Sequence, residues 1–312
     1  MSGPATASRH LGLDLGGTNI KWVIARRAGE VWEVVERGTV GTDAAAGPAA
    51  VVRRLARIGT EAVAGSAVSS VGIGLPGLYD PAAGTTRFLP NLPGEWNGVP
   101  VAAPVGQALA APTHVVNDAR AFGLAELRLG AARGVRSMIG LVIGTGVGGV
   151  FAIDGQVYQG RDGTGGELGH QTVDPDGPSC NCGNHGCLEA FTRADRIAAA
   201  CGTDTADQAV ERARSGDPVA VAGIAEVGRY LGIGIASMVT VLTPERVVLG
   251  GGVAAAIDLL MGPIHAEMRR RVRTTSLDGV EVVPAELGTW AGAIGAAVHG
   301  AERAAAAVGS AP

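Results

Sequence analysis

One histidine and three cysteines are clustered in the middle of this sequence, and their spacing suits a metal ion. His170, Cys180, Cys182 and Cys187 follow the pattern H-x9-C-x-C-x4-C. Three thiolates and one imidazole complete the tetrahedral shell that Zn²⁺ prefers, and they leave no coordination position for water. We therefore expect a structural zinc site.

The use of cysteine and histidine in the rest of the chain agrees with a metal site. Three of the four cysteines are clustered with a histidine, which favours metal binding over a disulfide framework. Cys201 lies outside the spacing and is predicted to be a core thiol. His185 lies inside the cluster, but the other four ligands already complete a tetrahedron, so we expect a turn residue there. Reduced cysteines indicate the cytoplasm.

Two carboxylates, Glu167 and Glu189, flank the cysteine cluster. A metal that fixes this loop would also hold both side chains at defined positions. They are therefore candidates for contact with some other ligand.

Three glycine-rich loops follow predicted strands. They are D-L-G-G-T at 14–18, G-T-G-V-G-G at 144–149 and G-G-G at 250–252. Glycine lets backbone N–H groups approach an anion closely, so these loops are candidate phosphate sites. An ordinary glycine hairpin remains an equal alternative for the first loop. The second loop leads into a strand, so it is not a dinucleotide fingerprint.

Polar residues follow another predicted strand, at 113–116. Asn117 and Asp118 stand where this strand ends and a helix begins. Asp118 either caps that helix or belongs to a ligand site, because ligands gather at the carboxyl ends of strands in α/β sheets. A long stretch without predicted secondary structure, 79–100, contains Asn91, which is either a hydroxyl-binding side chain or a turn residue.

The predicted elements alternate between strands and helices and contain a repeat. Strand, glycine turn and strand occur in that order at the start of the chain and again from residue 137, where Asp154-Gly155 signals a hairpin. Strands are predicted at 10–15, 19–25, 31–36, 68–75, 113–116, 137–143, 246–249 and 280–283, and helices at 47–64, 101–110, 119–129, 192–240, 252 onward and 287–307.

Composition excludes several classes of protein. With 312 residues, 46 % hydrophobic residues and positive mean hydropathy, the chain can bury a large core in two lobes. A net charge of −4 provides no basic surface for nucleic acid. The apolar run 219–241 contains Glu226 and Arg229, which favours a buried helix over a membrane span. The first ten residues lack the apolar core of a signal peptide.

Taken together, these motifs resemble the ROK family of sugar kinases. The resemblance runs from about residue 10 to the last helix and is strongest at 14–18, 117–118, 144–149, 166–170 and 180–189. It implies an α/β fold of the actin-like, hexokinase type (ribonuclease H-like), a two-lobed ATPase with a duplicated βββαβα core. The implied small lobe is 1–117, joined by a terminal helix at about 296–312. The implied large lobe is 118–295, with the zinc loop at 165–189.

The resemblance also implies a role for each motif. ATP phosphates and Mg²⁺ would be held by Asp14, Gly16, Gly17, Thr18 and Lys21. The second loop would face the same phosphates through Gly144, Thr145, Gly146 and Gly148, and the adenosine would lie beside Gly250, Gly251 and Gly252. The sugar would be bound by Asn91, Asn117, Asp118, Glu167, His170 and Glu189.

Two of these residues would have a special task in the implied reaction. Asp118 would be the catalytic base that accepts the proton of the sugar 6-hydroxyl as that oxygen attacks the γ-phosphate. His170 would bind zinc through one ring nitrogen and donate to a sugar hydroxyl through the other.

The expected activity is ATP-dependent phosphorylation of a hexose, with glucose first. A kinase of an amino or N-acetyl hexose (N-acetylglucosamine, N-acetylmannosamine or kanosamine) is the alternative, because Val150 and Phe191-Thr192 depart from the glucokinase pattern. A non-catalytic sugar-responsive regulator would require a DNA-binding module before the first strand, near residue 10. Polyphosphate stays open as the donor. We expect a homodimer or homotetramer without nucleic-acid or membrane partners.

Overall fold

The computed structural model describes residues 7–309, which contain twelve strands and nine α-helices. The first six of the ten residues that lack a signal-peptide core, and the last three residues of the expected terminal helix, lie outside this range. The strands are β1 (Ser8–Leu15), β2 (Asn19–Ala28), β3 (Val31–Gly41), β4 (Ser70–Leu75), β5 (Leu78–Asp80), β6 (Thr85–Phe88), β7 (Thr113–Asn117), β8 (Met138–Ile143), β9 (Val147–Ile153), β10 (Gln156–Val157), β11 (Arg246–Gly251) and β12 (Glu281–Pro284). The helices are α1 (Pro48–Val63), α2 (Ala102–Leu109), α3 (Asp118–Arg128), α4 (Leu188–Thr192), α5 (Ala194–Ala200), α6 (Ala206–Arg214), α7 (Pro218–Leu242), α8 (Ile257–Arg271) and α9 (Ala291–Gly309).

The chain divides into two compact units. The first consists of Met1–Leu129, Gln159–Gly165 and Thr289–Pro312, and the second of Gly130–Tyr158 and Gly166–Gly288. The sequence-based expectation placed the boundary after residue 117. In the structure α3 belongs to the first unit because it packs closely on α9, where a Cβ on Gly295 would overlap the carbonyl oxygen of Ala121.

The first unit is built on a five-stranded sheet with the order β3-β2-β1-β4-β7. β1, β2 and β3 pair in antiparallel fashion, while β4 and β7 extend the sheet parallel to β1. The inner strands are continuous apolar runs, and Leu11, Leu13, Val71 and Ile73 are fully buried. Such runs are typical of strands that are covered on both faces.

The second unit repeats this design. Its sheet has the order β10-β9-β8-β11-β12, with β8–β9–β10 antiparallel and β8–β11–β12 parallel. Each strand occupies the position of its counterpart in the first sheet. The predicted duplication is therefore confirmed, and the predicted hairpin at Asp154-Gly155 joins β9 to β10 with both residues at positive φ.

Helix α7 is the one helix in the described part of the chain that is long and apolar enough to cross a membrane. Of its most apolar 18-residue stretch, 61 % is buried within the protein. Leu231, Ile235 and Val239 are fully buried in the core of the second unit. The expectation of a buried core helix at this place agrees with that packing.

The stretch 79–100 contains a hairpin that the sequence did not reveal. β5 and β6 pair in antiparallel fashion there, and the Oδ1 atom of Asp80 accepts hydrogen bonds from the backbone N–H groups of Ala82 and Ala83 at 3.0 Å. The expectation of a loop without structure of its own was wrong. These strands of three and four residues are too short to produce a clear periodic pattern.

Helix α9 lies directly against the backbone of the first sheet. A Cβ at Gly12 of β1 would overlap the carbonyl oxygen of Ala293, and one at Gly72 of β4 would overlap that of Ala296. These overlaps involve backbone atoms, which cannot rotate away as a flexible side chain can. Glycine is therefore required for the helix to reach the sheet.

We expect Gly72→Ala to destabilise the protein by about 2–4 kcal/mol, because the added methyl group forces α9 away from β4. The matched control is Gly262→Ala in α8, where a Cβ meets no atom within 4 Å apart from its chain neighbours; because the neighbouring Pro263 offsets the higher helix propensity of alanine, we expect a change of less than about 1 kcal/mol. Urea unfolding measures both changes. Equal unfolding midpoints for the two variants would contradict the packing argument.

Candidate functional site

The four predicted zinc ligands meet in the second unit. One donor atom from each of His170, Cys180, Cys182 and Cys187 lies within 4.8 Å of all the others. The Sγ atoms of Cys182 and Cys187 are 3.7 Å apart, and Cys180 Sγ is 3.6 Å from His170 Nδ1. Tetrahedral zinc with Zn–S bonds of about 2.3 Å and Zn–N bonds of about 2.0 Å separates ligand atoms by about 3.5–3.8 Å. The donor set and its spacing therefore fit zinc.

Glycine turns make the metal loop possible. Gly183 and Gly186 adopt positive φ values of 91° and 64°, and a Cβ on Gly186 would overlap the carbonyl oxygen of Asp174. The backbone N–H of Val173 donates to the Gly186 carbonyl at 2.8 Å. These contacts fold the cysteine segment back onto the chain that follows His170.

His185 and Cys201 lie outside the ligand cluster, as the sequence predicted. His185 Nε2 is 3.2 Å from the hydroxyl oxygen of Ser179, and this histidine is outside the ligand cluster. Cys201 is fully buried, and its thiol contacts the carbonyl oxygen of Ala220 at 3.5 Å. Neither residue competes with the four ligands.

Burial opposes ionisation of two thiols in the cluster. It raises the pKa of Cys180 to about 12 and also raises the pKa of Cys187, whereas a backbone hydrogen bond from Asn184 lowers the pKa of Cys182. Three thiolates can be kept this close only if a cation neutralises them. Metal binding would therefore release protons from this site.

Glu189 connects the metal loop to the second glycine loop. Its Oε2 atom accepts a hydrogen bond from the backbone N–H of Val147 at 2.8 Å, while Oε1 lies 3.6 Å from Cys180 Sγ. A Cβ on Gly146 would come within 2.7 Å of Oε2. The sequence assigned Glu189 to a sugar alone, and this second role was not predicted.

Glu167 and His170 share one tight turn. Leu168–His170 forms a short 3-10 helix, and the backbone N–H of His170 donates to the Glu167 carbonyl at 3.0 Å. Glu167 is exposed. Gly169 packs so closely on β9 that a Cβ there would overlap the Val147 carbonyl oxygen. The turn is therefore positioned by the glycine loop as well as by the metal ligands.

The second and third glycine loops lie at the same edge of the second sheet. β8 and β11 are parallel neighbours, with Ile143 opposite Gly251, so the loops that leave them are adjacent. Gly251 has a φ of 81°, and a Cβ there would overlap the Ile143 carbonyl oxygen. We expected three glycines to open a helix. Instead Gly250 and Gly251 end β11, and Gly252 begins a 3-10 turn before α8.

The first glycine loop and Asp118 lie at the corresponding edge of the first sheet. β1, β4 and β7 are parallel neighbours, with Asp14 opposite Gly74 and Leu75 opposite Asn117. A Cβ on Gly17 would come within 2.9 Å of the Asn91 carbonyl oxygen. The structure thus brings Asn91 to the loop that carries the exposed Thr18.

Asp14 is held between a cation and a helix end. Burial raises its pKa to about 6, and the nearby Lys21 ammonium opposes that increase. Lys21 faces Asp14 across the β1–β2 pair. A Cβ on Gly292, in the first turn of α9, would come within 2.6 Å of the Asp14 carboxylate. Gly292 is a site residue that the sequence analysis missed.

Asn117, and not Asp118, caps α3. Its Oδ1 atom accepts hydrogen bonds from the backbone N–H groups of Ala119 and Arg120 at 3.0 and 3.2 Å, and its Nδ2 donates to the Gly77 carbonyl at 3.3 Å. Of the two alternatives for Asp118, the helix cap was wrong, because Asp118 is the first residue of the helix. Its Oδ1 atom accepts from the N–H of Ala119 at 2.8 Å.

Arg120 is a second residue that the sequence analysis did not select. It is only 1 % exposed, and its Nε and Nη2 atoms both donate to the Gly165 carbonyl, at 2.9 and 2.6 Å. This bidentate contact ties the start of α3 to the Gln159–Gly165 segment of the same unit. Asp118 is therefore carried on a helix end that is fixed from two sides.

We expect Asp14→Asn to stabilise the ligand-free protein at pH 8. Burial raises the pKa of Asp14 in the folded protein from 3.8 to about 6. The ionised carboxylate therefore destabilises the folded state, and this destabilisation grows as the pH rises from about 4 to about 6. Two pKa units correspond to about 3 kcal/mol, and solvent contact at this half-buried site reduces the gain to about 1–2 kcal/mol. Unfolding at pH 8 and at pH 4 measures the difference, which should shrink at the lower pH. A variant less stable than the parent at pH 8 would contradict this.

Similarity to known proteins extends over nearly the whole chain. The family described as ROK matches residues 10–302. The glucokinase of Thermotoga maritima is 34 % identical over 306 residues, which cover 92 % of this chain and 95 % of that protein.

Two crystal structures are similar over nearly the whole chain. A ROK hexokinase from Thermus thermophilus has a TM-score of 0.83 at 35 % identity and covers 96 % of this chain and 99 % of its own. A ROK family glucokinase from Streptomyces griseus, in complex with glucose and AMPPNP, has a TM-score of 0.79 at 30 % identity, with 94 % and 99 % covered. The family match covers residues 10–302, and the chain belongs to the ROK family.

Proposed function

We propose that this protein is an ATP-dependent sugar kinase that phosphorylates glucose at the 6-hydroxyl. The proposal rests on one edge of the first sheet, where the parallel strands β1, β4 and β7 end. Asp14 and the Gly16-Gly17-Thr18 loop lie at the end of β1, and Asp118 follows β7 at the same edge. A phosphate-binding loop and a carboxylate base are the two protein parts that phosphoryl transfer to a hydroxyl needs. Similarity to glucokinases over nearly the whole chain supports the same activity.

ATP and Mg²⁺ are the proposed cofactors. Carboxylate oxygen is the protein ligand that Mg²⁺ prefers, and Asp14 provides one beside the first glycine loop. Bound Mg²⁺ would neutralise charge on the phosphates during transfer. Backbone N–H groups of the glycine loops would bind phosphate oxygens, with Lys21 adding a positive charge. The proposed nucleotide contacts are Asp14, Gly16, Gly17, Thr18, Lys21, Gly144, Thr145, Gly146, Gly148, Gly250, Gly251 and Gly252.

Amide and carboxylate side chains are the proposed sugar contacts: Asn91, Asn117 and Asp118 in the first unit and Glu167, His170 and Glu189 in the second. Carboxylates accept from sugar hydroxyls, and amides both donate and accept. The structure limits what two of them can offer. Asn117 uses its oxygen as a helix cap, and Glu189 commits one oxygen to the Val147 N–H.

Asp118 is the proposed catalytic base. It would accept the 6-hydroxyl proton as the sugar oxygen forms a bond to the γ-phosphorus and the bond to the bridging oxygen of ADP breaks. A loose transition state requires only a positioned acceptor, so an ordinary carboxylate is sufficient. The Asn117 cap and the Arg120 contacts with Gly165 provide that positioning.

Asp118→Asn tests this role. We expect kcat to fall by roughly 10²–10⁴-fold, or about 3–5 kcal/mol in the barrier, because the amide cannot accept the proton. The variant should still fold, since Asn117 provides the cap. An assay of ADP release gives kcat, and thermal unfolding provides the control. Turnover near that of the parent enzyme would exclude Asp118 as the base.

Zinc is the proposed structural ion. When bound, it would supply a fixed point that holds the cysteine loop and orients the His170 ring. Because His170 Nδ1 faces Cys180, this nitrogen is the proposed ligand atom, which leaves Nε2–H to donate to a sugar hydroxyl. Glu167 and Glu189, two of the proposed sugar contacts, flank the four proposed zinc ligands in the sequence.

We expect Cys182→Ala to lose zinc, because three ligands bind far more weakly than a closed set of four and site formation is worth on the order of 10 kcal/mol. Metal analysis of the purified protein measures zinc per chain, and glucose affinity should fall with it. Cys201→Ala is the matched control, since this thiol lies outside the cluster. Active parent protein without zinc would contradict the assignment.

The identity of the hexose is decided by the same assay of ADP release across glucose, mannose, glucosamine, N-acetylglucosamine, N-acetylmannosamine and kanosamine. Glucose should give the highest kcat/KM. Of the two departures from the glucokinase pattern, Val150 is buried in β9 and Phe191 stacks on Tyr230 at 3.7 Å.

We also propose a cytoplasmic homodimer or homotetramer without nucleic-acid or membrane partners.

A further inference from the structure

A basic cavity lies in the first unit, behind the first glycine loop. It has a volume of about 290 Å³ and is formed where the segment that follows β3 meets α1. Its lining includes Thr42, Asp43, Arg53, Arg54 and Arg57. This volume is just below the roughly 300–1,000 Å³ range of ligand pockets, so it suits a ligand smaller than a nucleotide.

Three arginines line this cavity, and their charges are poorly neutralised. Arg53 makes no hydrogen bond or ion pair among residues 7–309, and Arg57 has only an exposed partner, Glu61, at 3.8 Å. Arg54 Nε donates to the Gly41 carbonyl at 2.6 Å, which fixes its position at the cavity. Exposed pairs such as Arg57–Glu61 contribute little. Three permanent positive charges in one cavity favour an anion with several oxygens, and guanidinium groups match phosphate oxygens in particular.

The same cavity contains one carboxylate. Asp43 precedes the 3-10 turn Ala44–Ala46 but makes no side-chain capping bond with it. Asp43 is exposed and adopts a left-handed backbone conformation, with φ at 55°. A carboxylate repels phosphate, but it accepts hydrogen bonds from hydroxyl groups. A ligand that carries both a phosphate and hydroxyl groups would therefore satisfy the cavity better than inorganic phosphate.

We propose that this cavity binds the phosphate ester of a polyol, such as a sugar phosphate. The arginines hold the phosphate, and Asp43 accepts from a hydroxyl. The site is separate from the nucleotide and sugar contacts proposed above, so the inference does not require the kinase activity.

Thr42 connects the cavity with the first glycine loop. It is fully buried, its hydroxyl donates to the Gly16 carbonyl at 2.6 Å, and its backbone N–H donates to the Thr18 carbonyl at 2.8 Å. The next residue is Asp43. A ligand held by Asp43 therefore acts on a segment that is bonded to both ends of the proposed phosphate loop, which makes the cavity a candidate regulatory site.

Calorimetric titration with glucose 6-phosphate tests the proposal. Glucose and a non-hydrolysable ATP analogue are kept saturating so that the substrate site is filled. We expect one sugar phosphate to bind per chain. Arg53→Gln/Arg57→Gln should weaken binding about tenfold or more, since two charge-assisted contacts are lost. The matched control is Arg269→Gln/Arg273→Gln, which removes the same charge from exposed positions in the second unit and should change affinity less than about twofold.

Asp43→Asn distinguishes the two sources of phosphate. It should weaken glucose 6-phosphate binding several-fold without weakening inorganic phosphate, because only the ester offers hydroxyl groups. Tighter binding of both ligands would contradict a polyol ester. Absence of saturable binding, or equal losses in the two double-arginine variants, would overturn the proposed site. Both double variants should keep kcat within about twofold when no sugar phosphate is added, so failure of this proposal is separate from failure of the kinase assignment.

Discussion

Backbone contact between helix α9 and strands β1 and β4 is the constraint on which the first unit depends. Gly12 and Gly72 permit this contact because neither presents a Cβ to the helix. The close approach brings Gly292, at the start of the helix, against the Asp14 carboxylate. The helix N-terminus carries partial positive charge, so the same packing that closes the core also places a favourable dipole beside a carboxylate that burial disfavours.

Repetition of one sheet order accounts for the placement of the glycine loops. Parallel pairing of β1 with β4 and of β8 with β11 directs the chain out of each sheet at its carboxyl edge. Each glycine loop lies at that edge, where its strand ends. A duplicated βββαβα unit therefore produces two edges that carry the proposed phosphate loops, without a special sequence beyond apolar strands that end in glycine.

The sequence predicted those features that are local or have a fixed spacing. Apolar runs that end in glycine identified β1, β8 and β11, and the H-x9-C-x-C-x4-C spacing identified four donors that the structure brings within 4.8 Å. It could not predict contacts set by distant packing. Glu189 bonds to Val147 across 42 residues, and Gly292 meets Asp14 only because α9 returns to the first sheet. The cap of α3 was misassigned because Asn and Asp are equally good caps, so composition cannot choose between neighbours.

The hydrogen bond between Glu189 and Val147 limits how sugar preference can change during evolution. Because one carboxylate oxygen is committed to the glycine loop and the other lies beside Cys180, a proposed zinc ligand, a replacement at position 189 disturbs both contacts as well as the proposed sugar contact. Selection for a new sugar would therefore be unable to use this position freely. Asn91, a proposed sugar contact that is exposed, is a position through which substrate range can drift while the metal loop and the glycine loop stay intact.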